Sequence, residues 1–225
     1  MSDFLSIPYL LESEPEPAEI ESLLRFCFDD LECSRSPPDS DDARRFGYST
    51  QCTDGICYEP TVDEAVNGIV RTEGGTLWLW YGDLYVGIHV PGQSPKRIDV
   101  PNLSLSIDEW YTKPRNYESP ELIPEFIHAL YDYLSPIYVY GDMYLDESVL
   151  SESGIERGEI EDLFWVNGFG PEMVENLGRE RVLEAPAWRV DEREDGGVFL
   201  WLSKYAFTGR SEYLEALHEQ FGLES

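Results

Sequence analysis

Two strand-forming runs, Thr76–Tyr81 and Leu84–Val90, are separated by Gly82-Asp83 alone, and that spacing constrains the fold more tightly than any other feature of the chain. A two-residue link containing glycine matches the twist of paired strands, so it closes an antiparallel hairpin. Asn102 to Trp110 adds a second signal, with Leu103, Leu105 and Ile107 on one side and Ser104, Ser106 and Asp108 on the other. Such alternation describes a strand with one buried and one wet face, as in antiparallel or mixed sheets rather than doubly wound parallel ones.

Helical periodicity runs beside these strands. From Pro17, which suits a first helical position, Ile20, Leu23, Leu24, Cys27, Phe28 and Leu31 recur on one face and predict a helix that ends before Pro37-Pro38. A second stripe, Leu122, Ile123, Phe126, Ile127, Leu130, Tyr131 and Leu134, predicts a helix whose Pro124 must lie in the first turn. His128 projects away from that stripe and reads as solvated. Val62 to Val70 has no decisive period and reads at most as a short helix. Ile137–Tyr140 and Met143–Leu145 read as strand on either side of Gly141-Asp142.

The last third repeats the pattern. Leu163–Val166 reads as a short buried strand, and Gly168-Phe169-Gly170-Pro171 as the turn into a helix that Gly178 closes. Ala187–Val190 and Val198–Leu202 flank the hairpin turn Glu194–Gly197. Ser211 caps a final helix with Leu214, Leu217 and Phe221 inward and Gly222 as its stop. These elements predict an α+β fold with mixed or mainly antiparallel sheets and helices packed on one face. The echo between Tyr81-Gly-Asp-Leu-Tyr-Val86 and Tyr140-Gly-Asp-Met-Tyr-Leu145 suggests two duplicated βαβ-like halves. The expected division is a flexible acidic segment over residues 1–16, frayed apart from the apolar Ile7–Leu11. A half over 17–146 that holds the cysteines follows, then a half over 147–225, packed with it as one unit.

Composition narrows the setting. Hydrophobic residues form 42% of the chain and aromatics 13%, enough for a real core. Against 45 acidic residues stand 16 basic ones, a formal charge of −29, with Lys96, Lys113 and Lys204 as the lysines. Such self-repulsion opposes compaction in dilute salt and is screened within roughly 3 Å in molar salt, so the charge reads as adaptation to a salt-rich cytoplasm, with an acidic mesophilic protein or a nucleic-acid mimic as the alternative. Nucleic acid is excluded as a partner because each phosphate contact needs a cation. No apolar run approaches the ~20 residues of a membrane span. Met1-Ser2-Asp3 opens no secretory signal, which points to a cytoplasmic location.

Among so many carboxylates, Asp83 and Asp142 stand out as candidates for acid–base catalysis, since both end a strand in an aromatic setting, although turn geometry is much the commoner reason for an Asp at either place. Cys27, Cys33, Cys52 and Cys57 have spacings of five and four residues rather than the two of zinc ribbons. A four-thiolate zinc site, a disulfide and inert buried thiols are the alternatives. His89, His128 and His218 have no second ligand at metal spacing on their own elements. Gly168–Pro171 resembles an anion cradle, but Pro171 removes one donor and Glu172 adds negative charge.

The run Phe164-Trp-Val-Asn-Gly-Phe-Gly-Pro-Glu-Met-Val-Glu-Asn-Leu-Gly178 resembles immunity proteins of bacterial and archaeal polymorphic toxin systems. Arg179, Arg181, Leu183, Ala185-Pro186 and the Asp195-Gly196-Gly197 hairpin continue the pattern, and Tyr140-Gly141-Asp142 fits it loosely. The resemblance covers about residues 136–202 and rests on turns, caps and core aromatics. It implies a non-enzymatic α/β protein that binds and silences a cognate toxin. Tyr81, Tyr140, Trp165 and Asn167 are then the candidate interface residues. A carboxylate-dependent enzyme and a zinc-stabilised regulatory module are the other two readings.

Overall fold

A computed structural model describes residues 4–34, 46–49, 57–59, 61–71, 74–90, 100–108, 121–143, 145, 151–206 and 210–223. The strands are β1 (Phe4–Leu10), β2 (Phe46–Ser49), β3 (Cys57–Glu59), β4 (Gly75–Tyr81), β5 (Leu84–Val90), β6 (Asn102–Asp108), β7 (Tyr138–Gly141), β8 (Val166–Phe169), β9 (Arg189–Glu192) and β10 (Val198–Trp201). The helices are α1 (Pro17–Asp29), α2 (Val62–Arg71), α3 (Leu122–Leu134), α4 (Glu152–Glu156), α5 (Pro171–Leu177), α6 (Arg179–Leu183) and α7 (Arg210–Phe221).

All ten strands join one sheet in the order β3-β2-β4-β5-β6-β1-β7-β8-β10-β9, and each pairing between them is antiparallel. The fold is therefore α+β. The β4–β5 hairpin turns at Gly82-Asp83 as its spacing requires, with Gly82 at φ +52. Strands from both sides of the expected 146/147 boundary share the sheet, and the boundary itself lies outside the described residues.

Alternating side chains separate two cores. Leu5, Ile7 and Tyr9 of β1, Val139 of β7, and Phe199 and Trp201 of β10 face α1, α2 and α3. Leu10, Tyr138, Tyr140, Val198 and Leu200 point the other way, toward α4 to α7. Helices thus cover opposite faces at the two ends of the sheet, and the strands where the covers overlap are buried on both sides. β7, β8 and β10 are buried at every position, whereas β6 alternates and keeps a wet face. No helix among the described residues is long and apolar enough to cross a membrane.

Several sequence expectations shift. Order extends ahead of the apolar Ile7–Leu11: Phe4–Leu10 pairs with β6 on one side and β7 on the other, because its apolar residues fill both cores. α1 ends at Asp29, and the chain reverses through Glu32 at φ 52 to pair Ser34 with Trp80. Val62–Arg71 is a helix, started by Thr61, whose hydroxyl accepts from Glu64 N at 3.3 Å and donates to the Glu64 carboxylate at 2.6 Å. Met143 is in a turn rather than a strand. The Tyr-Gly-Asp echo has two unlike causes. Gly82 makes a hairpin turn, while Gly141 stays in β7, where a Cβ would lie 2.7 Å from Ile7 Cγ1.

His128 is buried rather than solvated, because β10 covers the flank of α3 that carries it. The strand expected over Leu163–Val166 is Val166–Phe169, with Gly168 inside it under the Phe199 ring. β9 likewise starts two residues late, at Arg189. α7 begins at Arg210, one residue ahead of the expected Ser211 cap, and buries Leu217 and Phe221.

Two expectations follow from this packing. Trp165 is 3% exposed, donates Nε1 to Ser203 O at 2.9 Å and meets Trp201 edge-on at 5.3 Å. Trp165→Ala should destabilise the chain by about 3–5 kcal/mol in chemical denaturation, and a loss under ~1 kcal/mol would contradict the burial. Asp142 is the only buried acidic side chain among the described residues, so the negative charge that these residues carry lies at or near the surface. The melting temperature should rise by about 10 °C (~3 kcal/mol at this length) between ~0.1 M and ~2 M KCl. A flat profile would remove the case for salt adaptation.

Candidate functional site

Asp83 and Asp142 stand apart. Pairing aligns Asp142 with Ser6, Ser6 with Ser106 and Ser106 with Gly87, so β7 and β5 are three strand spacings apart and Asp83 lies four residues beyond Gly87. At ~4.8 Å per strand and ~3.3 Å per residue, the two carboxylates are ~20 Å apart. Asp83 is exposed in its turn, whereas the Asp142 carboxylate accepts from Met143 N at 2.7 Å and fixes the exit of β7. They do not share a pocket, so the paired-carboxylate mechanism lacks its geometry.

The cysteines divide similarly. Cys27 of α1 and Cys33 are buried free thiols, and Cys33 N donates to Cys27 O at 2.9 Å. Burial pushes the Cys33 thiol up to about 12 and raises Cys27 well above its ordinary value, so neither offers a thiolate at neutral pH. Cys57 lies on β3 opposite Tyr48, which pairs with Leu77. Cys33 lies near the other end of β4, beside the Ser34–Trp80 bridge. The backbone register therefore holds Cys57 on the order of 10 Å or more from Cys33, too far for thiolates sharing one zinc. Cys52 lies outside the described residues, and no group of three metal-binding side chains occurs among the described ones.

Three of the four candidate interface residues are interior groups. Tyr140 and Asn167 are fully buried and Trp165 nearly so. Asn167 accepts from Tyr138 OH at 2.9 Å and Phe164 N at 3.1 Å and donates to Phe164 O at 2.8 Å, so all three bonds serve the entry into β8. Tyr81 is half-buried against Phe126, with ring centroids 4.6 Å apart. As folded, Tyr140, Trp165 and Asn167 cannot touch a partner, and aromatic content alone could not separate core rings from surface ones.

The rings that do reach the surface lie elsewhere. Alternation along β4 and β5 puts Leu77, Leu79, Val86 and Ile88 in the core and turns Trp78, Trp80 and Tyr85 to the opposite face. There Trp78 meets Phe4 at 5.5 Å and Tyr85 at 5.4 Å, and Tyr85 meets Trp80 at 5.1 Å. Gly87 lies beneath Trp78, where a Cβ would come 2.8 Å from the ring. All four rings are partly exposed, amid Thr76, Ser104 and Ser106. The period-two pattern of the sequence holds this signal, since each tryptophan alternates with a leucine.

Two further features escaped sequence reasoning. The first is a polar seam between α3 and the β9–β10 hairpin. Asp191 accepts from Arg189 Nε and Trp201 Nε1, both at 2.8 Å, and its Oδ2 lies 3.6 Å from His128 Nε2 without a hydrogen bond. Burial, helped by Arg193 and Arg189, lowers the His128 pKa from 6.5 to about 4 against the opposing pull of Asp191 and Asp132. The imidazole is therefore neutral at pH 7 and the close approach is not a salt bridge. Arg193 pairs with Asp132, Tyr131 OH donates to Asp195 at 3.0 Å, and Gly197 leaves the room that the Tyr131 hydroxyl occupies. With Asp191 held by two donors, the seam clasps α3 to the β9–β10 hairpin.

The second is an open groove of ≈ 660 Å³ between the first turns of α1, the last turn of α3 and the chain at Leu11 and Leu103. Its floor is Leu11, Ile20, Leu23, Leu103 and Leu134. Tyr133, 39% exposed, forms one wall and stacks on Phe26 at 4.3 Å.

No protein-family model matches this sequence, and no curated protein matches it. Among solved structures, the fold is similar to that of the Pseudomonas aeruginosa T6SS protein PA0821, with a TM-score of 0.60 and 11% identity over 98% of this chain and 72% of that one. At that identity the likeness establishes a shared fold.

The His128 environment sets a pH dependence. Its folded-state value lies below the unfolded one, so the unfolded chain binds more protons between about pH 4 and pH 6.5. The contribution is complete above pH 6.5 and is lost as pH falls toward 4. Between pH 7 and pH 4.5 the wild type should lose ~2 kcal/mol more stability than His128→Phe in urea denaturation. Parallel losses would show that His128 does not titrate differently on folding.

Proposed function

We propose that this chain is a non-enzymatic, protein-binding protein of the immunity type, neutralising a cognate toxin in a salt-adapted cytoplasm. The observation that carries the reading is the row Phe4, Trp78, Tyr85 and Trp80 on the sheet face that α1, α2 and α3 leave uncovered. Rigid, partly exposed aromatics amid small hydroxylated residues have the composition of a binding surface, because each ring supplies large apolar area at low entropic cost. The separation of Asp83 from Asp142 weighs against the enzyme reading. The shared fold with a T6SS protein and the resemblance at residues 164–178 support a place in a toxin system.

The test is co-expression with the toxin candidate encoded beside this gene, followed by co-purification in molar KCl. Growth should be restored and a stoichiometric complex retained. Trp78→Ala with Tyr85→Ala should weaken binding at least about tenfold while far-UV circular dichroism is kept, as expected for central aromatic anchors. A toxin that still kills, with no complex recovered, would refute the proposal.

A further inference from the structure

The groove between α1 and α3 has a chemistry of its own. Five aliphatic side chains line its floor, and its acidic members, Glu12 and Glu19, stand exposed at its mouth with no Lys, Arg or His among the described lining residues. Exposed Glu16 extends the negative charge along the same segment. Glu16 and Glu19 form the capping box of α1, with Glu16 N donating to Glu19 at 2.7 Å, so the positive end of that helix is already answered. α3 instead ends at the groove, at Leu134 and Ser135, with no basic residue in its last turn. The negative end of its dipole therefore adds to the carboxylates.

We infer that this groove is a docking site for a basic, amphipathic segment of a protein partner, one that seats an apolar or aromatic side chain on the leucine floor and sets a flanking Arg or Lys against Glu12 and the end of α3. The apolar floor removes hydrophobic surface from water, and the acidic mouth selects the sign of the flanking charge. An anionic segment would meet only like charge there. The inference rests on the protein-binding reading above and names the partner chemistry that one part of the surface accepts. The groove lies among the helices that cover one face of the sheet, whereas the aromatic row lies on the other, so the two surfaces can be tested separately.

The test uses the full chain, 15N-labelled, at the lowest KCl concentration that preserves its far-UV circular dichroism. Three probes are titrated: acetyl-Arg-Leu-Trp-Arg-amide, acetyl-Glu-Leu-Trp-Glu-amide and acetyl-Arg-Gly-Gly-Arg-amide. The first should shift amide resonances clustered at Leu11–Ser13, Ala18–Leu23, Leu103 and Tyr133–Ser135, and the other two should not. A variant carrying Glu12→Lys and Ala18→Lys, both at exposed positions, should lose affinity for the first probe by about tenfold and gain affinity for the second. That exchange of preference could not come from a general loss of folding. Shifts scattered over the acidic surface, equal binding of the Arg-Gly-Gly-Arg probe, or no exchange in the variant would each overturn the inference. The toxin test separates this from the function itself. Neutralisation unaffected by the two substitutions discards the groove and leaves the immunity reading standing. Groove-localised probe binding with no neutralisation leaves the groove and discards the immunity reading.

Discussion

The joint between β1 and β7 holds the two ends of the sheet together, and it is made with few hydrogen bonds. Ser6 exchanges both backbone bonds with Asp142 at 3.2 Å, and pairing resumes at Tyr9 and Leu10 with Val139 and Tyr138. In this register Pro8 stands opposite Tyr140, on the side of β1 that should donate to β7, and proline has no N–H. Packing does what the ladder cannot. Gly141 lets β7 close onto Ile7, and Tyr9 reaches across to donate its hydroxyl to Ile127 O at 3.2 Å. Proline is ordinarily an edge residue, and here it stands in a central strand whose residues from Ile7 to Leu10 are all buried.

From this joint outward, each half of the sheet is covered on a different face, and the overlap determines where polar groups must be satisfied. Strands β7, β8 and β10 have no wet side, so each polar group they carry needs an internal partner. Asn167 serves this need with three hydrogen bonds, Trp165 donates to Ser203 O, and Trp201 donates to Asp191. The same double cover turns His128 from a surface residue into a buried neutral base. Strands β4 to β6, covered by described helices on one side, keep tryptophan and tyrosine rings partly exposed. The candidate binding surface is thus a consequence of which strands receive a second layer.

What was legible in the sequence follows from the range of the interactions. The Gly82-Asp83 hairpin, the Thr61–Glu64 and Pro17 helix starts, the first-turn Pro124 and the Gly178 and Gly222 stops depend on neighbours a few residues away. Local chemistry writes these directly. The central place of Phe4–Leu10 depends on β6 and β7, about 100 and 130 residues downstream. Gly168 reads as a turn residue until Phe199 is known to lie across it. His128 sits off the apolar stripe of its helix, and only the arrival of Asp191 and Trp201 explains it. The candidate aromatic row was readable as alternation, but which face α1, α2 and α3 would cover was not.

The distribution of cations explains how so acidic a chain stays assembled. Thirteen of its 16 basic residues are arginine, and several bridge elements distant in sequence. Arg25 links α1 to Asp63 of α2, Arg189 links β9 to Glu121 ahead of α3, Arg193 links the hairpin to Asp132, and Arg179 links α6 to Glu192. Arg181 donates Nε to Gln220 O at 2.7 Å near the end of α7 and lies over the Phe221 ring. Each exposed pair contributes little alone. Arginine is the residue type able to keep such contacts in concentrated salt, since its planar fork is weakly hydrated and makes directional bonds that screening does not abolish. These arginines are engaged within the molecule, and carboxylates make up most of the exposed charge among the described residues. A partner would therefore meet a surface whose specificity comes from where apolar side chains interrupt the acid, as at the row above β5 and the groove beside Glu12.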